Sequence, residues 1–197
     1  MESTLYPRHQ GNQLSRALGT AVHAFLEQLA RLRATKDWDA ARTALALHQP
    51  RIAAHVRAAG LDPTQAAAIA AQALTLALNA SHDPKCQWIL SPHPGAVSEV
   101  RWTGVLNSAL TSVRVDRVFQ AGLNPQSEGQ RAWWIVDYKT AHADDLDPAK
   151  ALQQLRPLFA PQLEAYAEIL RNLHGPDALI RAALYYPRML LLDWWEI

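Results

Sequence analysis

Residues 133–140 read Trp133-Trp-Ile-Val-Asp137-Tyr138-Lys139-Thr140, an apolar run that closes on an acid and a base two positions apart. In an extended strand the side-chain period is two, so Asp137 and Lys139 project from one face and Tyr138 from the other. A carboxylate is a hard oxygen ligand suited to Mg²⁺ or Mn²⁺. An ammonium beside it can orient an attacking water or stabilise a phosphoryl oxygen. The pair points to metal-assisted hydrolysis of a phosphodiester. Taken alone, Asp-x-Lys at a strand end reads more simply as a solvated ion pair; its company in the chain decides the matter.

Upstream, Ser112–Phe119 reads Ser-Val-Arg-Val-Asp-Arg-Val-Phe, a second β-branched run with one acid, Asp116, among apolar neighbours. A carboxylate in that setting needs a partner. If the two runs pair across the turn-rich segment Gly122-Leu-Asn-Pro-Gln-Ser-Glu-Gly129, Asp116 and Asp137 converge on one cation.

The ordered set Gly19-Thr-Ala-Val-His23, Glu99, Val115-Asp116-Arg117, Ile135-Val-Asp137-Tyr-Lys139-Thr and Gln162-Leu-Glu-Ala-Tyr166 resembles the RecB/AddA-type nuclease domain of the PD-(D/E)XK superfamily. In that family the domain usually forms the C-terminal part of UvrD/RecB-like helicase-nucleases. The resemblance runs from about residue 15 to the end. It implies an α/β, restriction-endonuclease-like core: a mixed β-sheet flanked by helices, with an N-terminal helical insertion. Carried over residue by residue, it makes His23, Asp116, Asp137 and the Tyr138 carbonyl the metal ligands and Lys139 the catalytic lysine. Gln162 and Tyr166 would contact DNA or brace the site, and Glu99 matches a glutamate often found on the first core strand.

The implied activity is that of a deoxyribonuclease of exonuclease type using one or two Mg²⁺ or Mn²⁺ ions, in double-strand-break repair and recombination. The implied partners are single- or double-stranded DNA ends and a helicase module in the same or a partner chain. Two alternatives stand beside it: a non-catalytic DNA-end-binding module with a nuclease fold, and a free-standing repair or restriction nuclease.

At 197 residues and 49% hydrophobic, the chain is long enough to bury one substantial core. The expectation is a single domain over 1–197, with a helical hairpin insertion or cap at 37–80 and a β-rich catalytic core at 96–197. Nineteen Lys and Arg against 18 acids leave a formal charge of +1, so any DNA affinity must be local. Candidate clusters are Arg31, Arg33 and Lys36, and Arg114 with Arg117; each is otherwise a solvated surface. Cys86 is the only cysteine. It excludes a disulfide within the chain and a chain-internal four-cysteine iron-sulfur cluster, and it fits a reducing cytoplasm. No signal peptide or apolar run of spanning length is visible, so a cytoplasmic, membrane-free protein is expected.

Apolar residues at three- and four-residue steps predict a first helix over 13–33, with His23 and Glu27 beside its buried stripe. Two alanine-rich helices follow over 38–60 and 63–80, the second capped by Asp62 ahead of Pro63. Residues 81–95 read as a polar, proline-containing connection. Strands are expected over 96–102, 106–119 (possible break near Ser108) and 131–139, then a solvated acidic loop holding His142, Asp144, Asp145 and Asp147. A helix from Pro157 or Pro161 to Leu173 precedes two last strands over 178–186 and 189–196. Seven tryptophans are best explained by sheet packing.

Overall fold

Three β-branched runs in the middle of the chain pair with two more at its end, and helices cover both faces of the resulting sheet. The structure, a computed structural model, describes residues 13–106, 108–141 and 147–197. In chain order it contains α1 Gln13–Arg33, α2 Trp38–Leu45, a 3₁₀ turn Ala46–His48, α3 Gln49–Arg57, α4 Pro63–Ala80 and α5 Pro84–Leu90. These are followed by β1 Val97–Leu106, β2 Ala109–Ala121, β3 Ala132–Tyr138, α6 Pro148–His174, β4 Ile180–Tyr186 and β5 Leu191–Glu196. The strands lie side by side in that order. All neighbours are antiparallel except β3 and β4, which run parallel. A parallel pair needs a crossover, and α6 supplies it.

One sheet face carries Phe119, Trp134, Val136, Tyr138, Ala183 and Tyr185 into a core shared with α1, α4 and α5. There α1 contributes Val22, Phe25, Leu26 and Leu29, and α4 meets it with Ala66, Ala70, Ala73 and Ala77. The small side chains at three- and four-residue steps let the two helices approach closely. The opposite face packs Val118, Ile135 and Ile180 against Tyr166, Ala167 and Leu170 of α6. Trp134 is fully buried, edge-on to Trp88 at 4.9 Å and tilted against Trp194 at 5.6 Å.

Four expected boundaries move, each for a physical reason. The helix expected over 38–60 is broken by the 3₁₀ turn, because Pro50 has no N–H to give an interior turn and settles in the first turn of α3. Residues 84–90, expected as a connection, form α5. Asp83 caps it, accepting from Lys85 N at 3.4 Å, as Asp62 caps α4 by accepting from Thr64 N and Gln65 N at 2.9 Å. The Asp-Pro signature is the same in both places, so the signal for α5 was present in the chain.

β1 and β2 form one long hairpin from Leu106 to Ala109, with Ser108 at φ 64, rather than separating near Trp102. Helix α6 begins at Pro148 and runs through Pro157 and Pro161. Leu152, Leu155, Phe159 and Leu163 recur along it and pack with Ala182, Leu184 and Tyr186. This burial offsets the backbone hydrogen bonds that the two prolines remove. His142, Asp144 and Asp145 of the acidic loop lie outside the described residues; Asp147 Oδ1 accepts from Lys150 N at 3.4 Å.

Candidate active site

Strand period two holds at the end of β3. Tyr138 packs toward α1, while Asp137 and Lys139 face α6. The Lys139 ammonium lies 2.6 Å from Asp137 Oδ2 and donates to Gln162 Oε1 at 3.1 Å. Gln162 Nε2 donates to Asp137 Oδ1 at 3.3 Å and also to the Tyr166 hydroxyl. Gln162 therefore bridges both members of the pair, and Tyr166, 5% exposed, holds Gln162. Phe159 adds a support the sequence reading did not name: its ring lies 4.4 Å beneath the Lys139 ammonium. It stands three residues before Gln162 on one helix, a spacing that puts both on one face.

Asp116 reaches the site by a break in alternation. Val113, Val115 and Val118 all join the cluster against α6, although the step from 115 to 118 is odd. The irregularity sits where Asp116 stands opposite Glu99, between the pairs Ser98↔Arg117 and Val100↔Val115. Glu99 has φ 54, a conformation that costs a non-glycine residue on the order of 1–3 kcal/mol and tends to mark functional sites. The β2–β3 ladder stops at Arg117↔Val136. Beyond it Asp116 Oδ2 accepts from Tyr138 N at 2.8 Å, a side chain replacing the next ladder bond.

His23 comes from α1. That helix lies against the end of β3, where a Cβ at Gly19 would meet Thr140 Oγ1 at 3.4 Å, an ordinary contact. The imidazole has Nε2 at 2.8 Å from the Tyr138 carbonyl and Nδ1 at 3.3 Å from Asp116 Oδ1. His23, Glu99 and Asp116 each offer a ligand atom within 4.8 Å of the other two. Asp137 sits beside this group, engaged with Lys139 and Gln162. Glu99 pairs with Arg114, the long arginine reaching diagonally across the hairpin. A cleft of about 390 Å³ opens here, lined in part by His23, Glu27, Arg31, Arg51, Glu99 and Arg114.

The charges crowd. Burial, then the neighbouring Asp116 charge, push the Asp137 carboxyl up to about 6, although Lys139 opposes the shift. Burial and Asp116 likewise raise Glu99 against the pull of Arg114 and His23. Burial would raise Asp116 too, but His23, the Tyr138 N–H and Lys139 outweigh it and hold it low. Burial alone would lower His23; the adjacent Asp116 charge and hydrogen bond overcome this and lift it to about 9. An imidazolium thus partly neutralises the acids.

Because this folded-state value lies above the ordinary 6.5, the stabilisation is complete below pH 6.5 and is lost as pH rises through about 9. In a chelator, the unfolding free energy should fall by on the order of 2–3 kcal/mol between these limits. His23→Gln should flatten that segment of a pH series of thermal melts; a wild-type slope in the variant would contradict the pairing.

The donor set suits a hard divalent cation. One imidazole nitrogen, carboxylate oxygens and a carbonyl oxygen match Mg²⁺ or Mn²⁺, and the raised Asp137 and Glu99 carboxyls mark a surplus of negative charge that a cation would relieve. Arg117 departs from its sequence reading as a DNA contact. It is 5% exposed and donates to Ile89 O at 3.1 Å, Ser91 O at 2.8 Å and Ser98 Oγ at 3.1 Å, tying the sheet to α5. Arg114 stays largely exposed, paired with Glu99.

Compared with protein families, the chain matches the PD-(D/E)XK nuclease superfamily over residues 3–190. It belongs to that superfamily, whose members are generally metal-dependent nucleases, and its mixed sheet with flanking helices is the restriction-endonuclease-like core. Comparison with curated proteins gave no match. Among the described residues, no helix is long and apolar enough to cross a membrane.

Proposed function

We propose that this protein is a Mg²⁺- or Mn²⁺-dependent deoxyribonuclease of RecB/AddA type that degrades DNA from ends, as the nuclease unit of a helicase-nuclease in cytoplasmic double-strand-break repair and recombination. The observation that carries the reading is the Asp137–Lys139 pair at the end of β3, braced by Gln162, beside the group of His23, Asp116 and the Tyr138 carbonyl. His23, Asp116, Asp137 and the Tyr138 carbonyl would hold the cation. When bound, the cation supplies Lewis-acid polarisation of a phosphoryl oxygen and lowers the pKa of water.

The remaining work falls to the chain itself. Lys139, held by Asp137, Gln162 and the Phe159 ring, presents a compact positive charge that orients the attacking water and offsets charge growing on the phosphoryl oxygens. Tyr166 keeps Gln162, and through it Lys139, in place. Helices of the 37–80 insertion wall one side of the cleft through Arg51, where they would frame a DNA strand. With so little net charge, the isolated chain should bind DNA weakly, and a tethered motor would supply the affinity.

The test is an end-labelled assay on linear, nicked and circular DNA with Mg²⁺ and Mn²⁺. Wild type should degrade the linear substrate only with metal. Lys139→Ala should lose about two to three orders of magnitude in rate, the range expected for removing one transition-state donor. Folded wild-type protein that binds DNA yet cleaves none of the substrates with either metal would replace this reading with a non-catalytic end-binding module.

A further inference from the structure

Outward from the cleft, the β1–β2 hairpin has two unlike faces. Val100, Trp102 and Val113 are half-buried toward α6, and Gly104 admits Ile169 so closely that a Cβ there would meet its side chain at 2.9 Å. The alternate residues Arg101, Thr103, Val105, Leu110, Ser112 and Arg114 are all exposed. They form three cross-strand rungs, Arg101↔Arg114, Thr103↔Ser112 and Val105↔Leu110, spaced about 7 Å apart. Two guanidiniums directly opposite each other are an unfavourable pair without an anion. Glu99 offsets Arg114, while Arg101 has no ion pair among the described residues. In the next rung the Thr103 and Ser112 hydroxyls lie 2.9 Å apart. In the outermost, Val105 and Leu110 are 55% and 78% exposed, aliphatic surface of the kind that marks an interaction site.

We propose that this open face binds an unpaired DNA strand outside the metal site, with phosphates on Arg101, Thr103 and Ser112 and bases against Val105 and Leu110. The kind of polymer rests on the nuclease reading above; the surface itself depends on neither metal nor cleavage. Guanidiniums and hydroxyls suit phosphate oxygens. Aliphatic side chains in line with them suit the flat faces of bases, which a duplex keeps stacked inside and an unpaired strand exposes. The inner rung ends at Arg114 beside Glu99, and both line the cleft. A strand lying along the ribbon therefore runs into the cleft, with its more distant part held by the hairpin.

The experiment is fluorescence anisotropy of a labelled single strand of about 16 nucleotides with the full chain in chelator, titrated with salt. Arg101→Gln should weaken binding severalfold and lower the slope of log affinity against log salt by about 0.7, the share of one single-strand phosphate contact. Leu110→Ser should weaken binding with the slope unchanged, since a base contact releases no counter-ion. Both side chains are exposed, so neither variant should shift the thermal melt. A blunt duplex of the same length should bind more weakly than the strand and lose nothing on Leu110→Ser. A wild-type slope in Arg101→Gln would overturn the proposal. Wild-type affinity in Leu110→Ser would also overturn it, as would a duplex that responds to both variants as the strand does. Hairpin-dependent binding by a wild type that cleaves nothing with metal would sink the nuclease reading and spare the hairpin. Metal-dependent cleavage with wild-type binding by both variants would do the reverse.

Discussion

Asp137→Asn is expected to cut metal-dependent cleavage by on the order of a thousandfold while making the metal-free protein no less stable at pH 8. Two effects combine in the rate. On the proposed mechanism the variant loses an anionic donor toward the cation, and it unties Lys139, whose ammonium lies 2.6 Å from Asp137 Oδ2. Stability moves the other way. Burial and the nearby Asp116 charge raise the Asp137 carboxyl to about 6, above its unfolded value of 3.8. Stability is therefore lost as pH rises between these two values and is not regained above them.

A neutral amide of the same shape escapes that penalty and leaves Lys139 its bond to Gln162 Oε1. Single-turnover cleavage and melts in chelator at pH 5 and 8 measure both arms. Wild-type cleavage by Asp137→Asn would remove the central residue from the mechanism. A large loss of stability at pH 8 would show that the pair holds the fold rather than straining it.

Trp134→Ala should cost about 3–5 kcal/mol of unfolding free energy, the usual range for truncating a fully buried large aromatic. The indole is fully buried, donates from Nε1 to Gly122 O at 2.9 Å, and packs against Trp88 and Trp194. It joins α5, the central strand and the last strand. Trp134→Phe separates the contributions: keeping most of the ring contact but orphaning the Gly122 carbonyl, it should lose about 1–3 kcal/mol. Chemical denaturation of the three proteins reads the series. A loss under 1 kcal/mol for Trp134→Ala would mean that this core tolerates a void.

Much of this architecture was readable along the chain. Alternation in 133–140 put Asp137 and Lys139 on one face, and the structure keeps them there because β3 is regular up to its end. The turn-rich 122–129 segment announced the β2–β3 hairpin, and the apolar stripe of 13–33 matched the buried face of α1. Other features carried a signal with less weight. Asp83-Pro84 repeats the helix-start chemistry of Asp62-Pro63, yet the surrounding prolines and serines read as a connection. Pro157 and Pro161 spoke against one helix over 148–174, and only the apolar face buried beneath β4 and β5 outweighed them.

The site divides along the same line. The resemblance of the ordered motifs to a nuclease family named His23, Asp116, Asp137 and Lys139 as candidates, and local periodicity placed each on its element. None of these could say that β2 breaks alternation at Asp116, because a glutamate at positive φ opposite it leaves no mark in the sequence. Nor could they say that Arg117 is spent on α5 carbonyls while Arg114 guards Glu99. Those outcomes depend on distances of a few ångströms between residues far apart in the chain. Charge interactions depend steeply on separation and desolvation, and only the packed sheet and helices set both.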